Sequence, residues 1–331
     1  MPVRNEERFI GDTLGQLLRQ DYPPHRFEVI VVDGMSTDST RERVAAAAQL
    51  HPAVRLVENP RRLSSSGRNI GFRSGRGEIF VVVDGHCYIE GDRLFRSIVQ
   101  CFESSQAHCL GRPQPLDPPR ITTFQRAVAL ARASRIGHSR CSHIYSHTEG
   151  YVSPVSVGAV YKREVFERIG YVDEDFDACE DVEFNYRLEK AGLRCYIHPS
   201  LRVRYYPRES LSGLFFQMAR YGEGRLKLAS KHREMVTFEM LVPLALVLGP
   251  VVLLLLSLWA PFALHVLFAL GAGYVLLVLG ESVRLGIRNG LAFLPFLPAA
   301  LAAIHFGLGY GLLRGALKGA LRRIRRSPLP A

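Results

Sequence analysis

Residues 241–259 carry no charge, and no other stretch narrows the possible folds as much. A run of that length spans the hydrocarbon of a bilayer as one α-helix. In lipid a helix meets all its own backbone hydrogen bonds, which an open strand cannot. Residues 261–280 form a second such run whose only ionisable group is His265, and Trp259 lies between them as an interfacial residue. Residues 291–313 form a third, interrupted by Pro295 and Pro298. Arg284 and Arg288 precede that third run, and Arg314, Lys318, Arg322, Arg323, Arg325 and Arg326 follow it. Two spans would return residues 281–290 to the side on which the N-terminal domain lies. A complete third span would carry the basic tail across, against the positive-inside tendency. The prolines therefore point to a re-entrant or interfacial third segment, with the tail on the cytoplasmic face. The expected divisions are a soluble domain over 1–207, an interfacial amphipathic region over 208–238, a membrane domain over 239–313 and a basic tail over 314–331.

The formal net charge is +11 over 331 residues, with much of the excess near the apolar C-terminal region. No nucleic-acid motif accompanies it, so the charge reads as membrane-surface attraction plus phosphate binding. The six cysteines are scattered without a Cys-x-x-Cys pair, which points to a reducing compartment and no structural zinc. His138, His143 and His147 lack ligand spacing. The polar stretch 4–8 argues against a signal peptide.

The N-terminal two thirds alternate strand and helix. The pattern predicts helices over 9–20, 39–49, 92–106 and 122–136, and strands over 28–32, 54–57 and 81–83. Beyond the Pro-rich stretch 111–120, a strand over 156–163 leads into a helix over 164–169. A helix beginning near Glu180 ends at Gly192, and short strands follow at 195–197 and 202–205. Such alternation implies an α/β fold with a doubly wound, mostly parallel sheet. Val81-Val82-Val83 reads as a strand buried on both faces. It runs into Asp84-Gly85-His86, and ligands of open α/β sheets sit beyond such strand ends. Asp84 and His86 are therefore candidate holders of a metal and its phosphates.

Four segments carry a family resemblance: Pro2-Val3-Arg4-Asn5-Glu6-Glu7, then Val31 to Thr40, then Gly67-Arg68-Asn69-Ile70-Gly71, then Gly77-Glu78 leading into Val81-Val82-Val83-Asp84-Gly85-His86. In this order they resemble glycosyltransferase family 2, over about residues 1–225, and most of all its succinoglycan-type exopolysaccharide glucosyltransferases. The resemblance implies a GT-A fold and a nucleotide-diphosphate-sugar donor. It places Pro2, Arg4, Glu6 and Asp33 around the nucleoside, Arg68 near the diphosphate, and Asp84 and Gly85 at the donor. Where the family usually has Asp-x-Asp, this chain has Asp84-Gly85-His86. Asp84 and His86 become the expected ligands of Mn2+ or Mg2+, and an imidazole shifts the preference toward Mn2+. Two departures stand out. Family members usually have a full apolar strand where this sequence has only Met1, so the natural start is expected upstream. Asp33 is followed by Gly34 where many members have a second acid.

Glu180-Asp181 resembles the family's Glu-Asp motif, in which the Asp is the general base. A helix N-terminus favours the ionised form of such acids. Inverting transfer needs one carboxylate to deprotonate the attacking hydroxyl while cations absorb charge on the leaving diphosphate. Gly158 is expected to leave room on the acceptor side, with Glu180 either hydrogen-bonding the acceptor or holding a loop. Gln217-x-x-Arg220-Tyr221 resembles the family's Gln-x-x-Arg-Trp segment, which flanks diphosphate and acceptor. It also reads plainly as a basic amphipathic helix on a membrane surface.

The expected protein is a membrane-anchored inverting glycosyltransferase. Its donor would be a UDP-sugar carrying a hexose such as glucose, and its acceptor a lipid-linked oligosaccharide. It would work at the inner membrane of a bacterium, with a cytoplasmic catalytic domain. The alternatives are a catalytically silent nucleotide-binding membrane scaffold and a transferase acting on polyprenyl phosphate.

Overall fold

The computed structural model describes residues 1–139 and 142–326, with side chains to residue 321; Cys141 and the last five residues of the basic tail lie outside the described residues. The chain divides into two compact units. The first comprises residues 1–120 and 141–206, the second residues 121–140 and 207–331.

The first unit opens with β1 (Pro2–Val3), α1 (Ile10–Leu18), β2 (Val29–Asp33), α2 (Thr40–Leu50), β3 (Val54–Glu58) and α3 (Ser64–Ser74). The three strands form a parallel sheet in the order β1-β2-β3, as the alternation requires. Next come β4 (Ile79–Val81), β5 (Cys87–Tyr88), α4 (Leu94–Ser105) and β6 (Cys109–Gly111). The chain leaves for one helix of the second unit, α5 (Thr123–Arg132). It then returns through β7 (Gly150–Val152), β8 (Gly158–Lys162), α6 (Arg163–Ile169), α7 (Glu180–Lys190), β9 (Cys195–Ile197) and β10 (Arg204–Tyr205).

The α/β class of fold is as expected, but the second sheet is more mixed than the alternation implied. Its order is β4-β8-β6-β9-β7, and only the β6–β9 pair is parallel. The chain reaches β8 by the long 112–157 excursion, not by a helical crossover, so nothing ties β8 to the parallel direction. Pairing of β4 stops at Val81. Val82 and Val83 stay buried and carry Asp84 past the end of the sheet. A two-stranded antiparallel ribbon, β5 with β10, closes over that end.

A cavity of about 510 Å³ is lined among others by Val29, Ile30, Ile79, Val81 and Ile98. Val32 N donates to the Met1 carbonyl at 2.8 Å, which continues the parallel ladder of β1 with β2.

In the second unit α5 is joined by α8 (Leu211–Lys231), α9 (Phe238–Leu256), α10 (Phe262–Asn289) and α11 (Leu297–Arg326). α8 and α11 touch backbone to backbone. A Cβ on Gly222 would lie 2.2 Å from the Leu308 carbonyl oxygen, and one on Gly311 2.0 Å from that of Ala219. Phe238–Leu256, Phe262–Asn289 and Leu297–Leu321 are each long and apolar enough to cross a membrane. Two expectations change here. Residues 281–289 continue α10 and are not a connection, with Glu281 paired to Arg284 at 2.6 Å. Pro295 divides the third segment, whose first residues form a short 3-10 turn over Leu291–Phe293, but Pro298 does not break it. The helix begins between them, and Pro298 falls in the first turn, where its missing N–H costs no bond. Packing against α5, α8 and α9 leaves 44% of the α11 window buried, against 0% for α9 and 11% for α10.

Candidate active site

Three separate elements bring acids to one guanidinium. Arg68 projects from α3, Asp84 stands past the end of β4, and Glu180 and Asp181 open α7. Arg68 Nη2 lies 3.3 Å from Glu180 Oε1, with both side chains largely buried. Burial opposes the Arg68 charge, but Glu180, Asp181 and Asp84 together raise its pKa above the ordinary arginine value. Arg68 Nε is buried without a hydrogen-bond partner. Burial pushes the Glu180 carboxyl up, Arg68 pulls it down, and the neighbouring Asp181 charge pushes it up again. Asp181 is half-buried, and its Oδ1 accepts from its own helix at Val182 N, 2.9 Å away. The residue before this pair, Cys179, holds a left-handed backbone with φ 62°. That conformation is unusual for a side chain of this kind and turns the acids inward.

A second ring surrounds Asp84. Burial would raise its carboxyl, yet Arg68, His86, Arg112 and the Tyr205 hydroxyl hold it below the usual carboxylate range. Arg112 is 1% exposed and gives Nη2 to the Tyr205 hydroxyl at 2.7 Å, while its Nε and Nη1 have no partner. A buried cation of this kind needs a nearby counter-charge, and Asp84 supplies it through Tyr205. Sequence reasoning missed both residues. Arg112 sat in a Pro-rich stretch and Tyr205 in a short strand, and no local pattern joins positions 93 apart.

Glu6 reaches the Asp84-Gly85-His86 segment. Its Oε1 is 2.8 Å from His86 Nδ1. Gly85 is required for this approach, because a Cβ there would meet Glu6 Cγ at 2.8 Å. The Glu6 contact engages Nδ1 of the ring. The His86 ring stands edge-on to Tyr205 with centroids 6.0 Å apart.

The other residues that the resemblance assigned to the nucleoside, and their neighbours, brace two loops. Asn5 Oδ1 accepts from Thr37 N at 2.9 Å, and Glu6 N donates to Thr40 Oγ1 at 2.7 Å. Asp33 is fully buried and committed locally, accepting from Ser36 N and lying 3.7 Å from Arg41 Nη1. Arg4 is exposed beside Gly34. Pro2 lies against Gly67 of α3, where a Cβ would sit 3.1 Å away. Gly67 therefore serves helix–strand packing. Gly158 does not leave the room expected of it. The space beside it holds the Asn185 side chain, 2.7 Å from a Cβ placed there, and leaves no room for a sugar. Gln217, Arg220 and Tyr221 belong to α8 in the second unit. There Gln217 Oε1 lies 3.5 Å from Arg132 Nη1, Tyr221 faces the same guanidinium, and Arg220 is exposed.

Among the described residues no group of three or more His, Cys, Asp or Glu could hold a metal. Asp84 and His86 supply one carboxylate and one imidazole. Two protein ligands fit a divalent cation that takes its other ligands from phosphates and water. A carboxylate behind the imidazole, as Glu6 provides, is the usual support of a metal-binding histidine. Arg68 and Arg112 already offset the charge of Asp84, so further negative charge has to come from the donor phosphates.

The description "Glycosyltransferase like family 2" matches residues 1–224, and the chain belongs to that family. It is 32% identical over 247 residues to the succinoglycan biosynthesis protein ExoA of Rhizobium meliloti, covering 74% of this chain and 73% of that one. It is 26% identical over 232 residues to the dolichyl N-acetyl-alpha-D-glucosaminyl phosphate 3-beta-D-2,3-diacetamido-2,3-dideoxy-beta-D-glucuronosyltransferase of Methanococcus voltae, covering 68% and 71%. In fold it is similar to the mannosyltransferase PcManGT of Pyrobaculum calidifontis, solved with GDP-Man and Mn2+. That match has a TM-score of 0.62 and 20% identity, over 96% of this chain and 86% of that one. The protein is thus a glycosyltransferase of GT-A fold.

Arg68→Lys keeps a charge but not the planar fork that several carboxylates share. Turnover is expected to fall about a hundredfold, on the scale of one lost electrostatic contact, with the melting temperature little changed. Steady-state kinetics beside thermal unfolding check this, and wild-type turnover in the lysine variant would contradict the central place given to Arg68.

Proposed function

We propose that the protein is a membrane-anchored inverting transferase. It moves a hexose, glucose by family resemblance, from a UDP-sugar to a lipid-linked oligosaccharide in cell-surface polysaccharide synthesis. The observation that supports this reading is the Arg68–Glu180 contact at 3.3 Å, with Asp181 next in the chain and Asp84 acting on the same guanidinium; Asp84 is read as the donor-side acid and Asp181 as the acceptor-side acid. Asp181 accepts the proton of the attacking acceptor hydroxyl as its oxygen reaches the anomeric carbon. Arg68 faces the diphosphate that leaves on the other side and draws off its charge. One base and one cationic face suffice for inversion, so no enzyme nucleophile is required. Asp84 and His86 would hold Mn2+ or Mg2+, which when bound neutralises diphosphate charge. Glu180 keeps Arg68 in place, and Glu6 keeps His86 in place.

The names of the relatives support a saccharide acceptor. One acts in succinoglycan biosynthesis, and the other is named for a dolichyl-linked substrate. The apolar helices of the second unit would hold the enzyme where such a lipid resides. Nucleotide sugars are cytoplasmic, which places the catalytic unit on the inner face of a bacterial cell membrane. The tail would share that face if α11 does not cross, and would face outward if it does.

Release of free nucleotide from UDP-Glc, UDP-Gal, UDP-GlcNAc and GDP-Man, measured in membranes with extracted lipid acceptor, tests the reading. Turnover of UDP-Glc is expected, and Asp181→Asn is expected to lower it by about 10²–10⁴ with UDP affinity retained. Equal loss of UDP binding would give Asp181 a structural role, and binding without turnover in the parent would favour the silent scaffold. His86→Asp is expected to move the metal preference from Mn2+ toward Mg2+. Metal titration of UDP binding reads this, and an unchanged preference would remove His86 from the ligand set.

A further inference from the structure

Tyr205 belongs to the hollow around Asp84, and its neighbour Tyr206 lines a different space. Tyr206 borders a polar cleft of about 580 Å³, within the usual range of ligand sites. Asp12 and Arg19 of α1, Tyr88 of β5, and Asp92 and Arg120 form the other walls that matter. The walls are firmly set. The Tyr206 ring packs on Phe9 with centroids 4.7 Å apart, and Ile89 N donates to Gln16 Oε1 at 2.6 Å beneath the floor.

The charge pattern identifies the occupant. Two acids and two bases line the cleft, yet among the described residues none of the four closes an ion pair. Opposite charges therefore face one another across open space. A phosphate ligand would call for an excess of cations, and a cationic ligand for an excess of acids. A neutral polyhydroxyl ligand satisfies both kinds at once, donating to Asp12 and Asp92 and accepting from Arg19 and Arg120. Tyr88 and Tyr206 add ring surface with polar tips, which suits the apolar faces of a sugar. Tyr206 N also donates to the His86 carbonyl at 3.4 Å, so the cleft is anchored to the segment that carries the candidate metal ligand.

We propose that this cleft is a glycan-binding subsite, taking a neutral segment of the saccharide chain whose end is being extended. The inference rests on the reading of the protein as a transferase with a saccharide acceptor. It is tested on the full-length protein in a detergent without a sugar headgroup. Saturation-transfer NMR and calorimetry would use laminaritetraose, cellotetraose and gentiotetraose as neutral probes, with tetragalacturonate and UDP as controls. At least one neutral tetrasaccharide is expected to bind, and the double variant Asp12→Asn, Arg120→Asn is expected to bind it at least tenfold more weakly with UDP affinity unchanged. Both positions are exposed, and Asn tolerates the left-handed backbone of Arg120 at φ 63°, so UDP binding also reports that the variant is folded. Absence of binding by all three neutral probes, binding that survives the double variant, or preference for the acidic probe would each overturn the subsite. Failure of the transferase reading shows separately, as glycan binding with no turnover of any nucleotide sugar.

Discussion

Arg68 is a buried cation shared by three carboxylates, and the geometry of the catalytic hollow follows from that sharing. Placing a guanidinium inside protein is costly unless charge and hydrogen bonds compensate. Glu180 at 3.3 Å supplies the direct contact, and Asp84 and Asp181 add attraction from two other directions. Each acid is fixed to a different element, so α3, the end of β4 and the start of α7 cannot drift apart without uncovering charge. A purely structural ion pair would enclose all its members. Here Asp181 stays half-buried and Arg68 keeps one donor without a partner, as a site awaiting substrate requires.

Around this centre the supporting contacts divide by task. Arg112 and Tyr205 hold Asp84 ionised from behind, and Glu6 fixes the His86 ring. The loops after β1 and β2 are laced together through Asn5, Thr37 and Thr40, which rigidifies the nucleoside side. Conserving charge matters on both flanks of the reacting centre. The acceptor side needs an available base, and the donor side needs cations that a diphosphate can approach.

Much of this was legible in residue order because it depends on local periodicity and strand ends. The helices near residues 10–18, 40–50 and 94–105 follow apolar spacing, and Asp84, His86 and Asp181 follow from an apolar strand ending in an acid and from acids opening a helix. What stayed hidden depends on pairing between distant positions. Glu6 meets His86 across 80 residues, Arg112 meets Tyr205 across 93, and the space beside Gly158 is taken by Asn185. The antiparallel entry of β8 was hidden for the same reason, since a buried strand looks alike in either direction. Pro298 reads alike in a helix interior, which it would break, and in a first turn, where it is tolerated, and only the fold shows which applies.

The second unit supplies three helices long and apolar enough to cross a membrane, and α11, the most enclosed of them, packs on α5, α8 and α9. The stereochemistry of transfer tests most directly whether one base and one cationic face act on a single anomeric carbon. Proton NMR of the first product formed from an α-linked UDP-hexose reads it. A β-linked product is predicted, and an α-linked product would contradict the single-displacement geometry centred on Arg68.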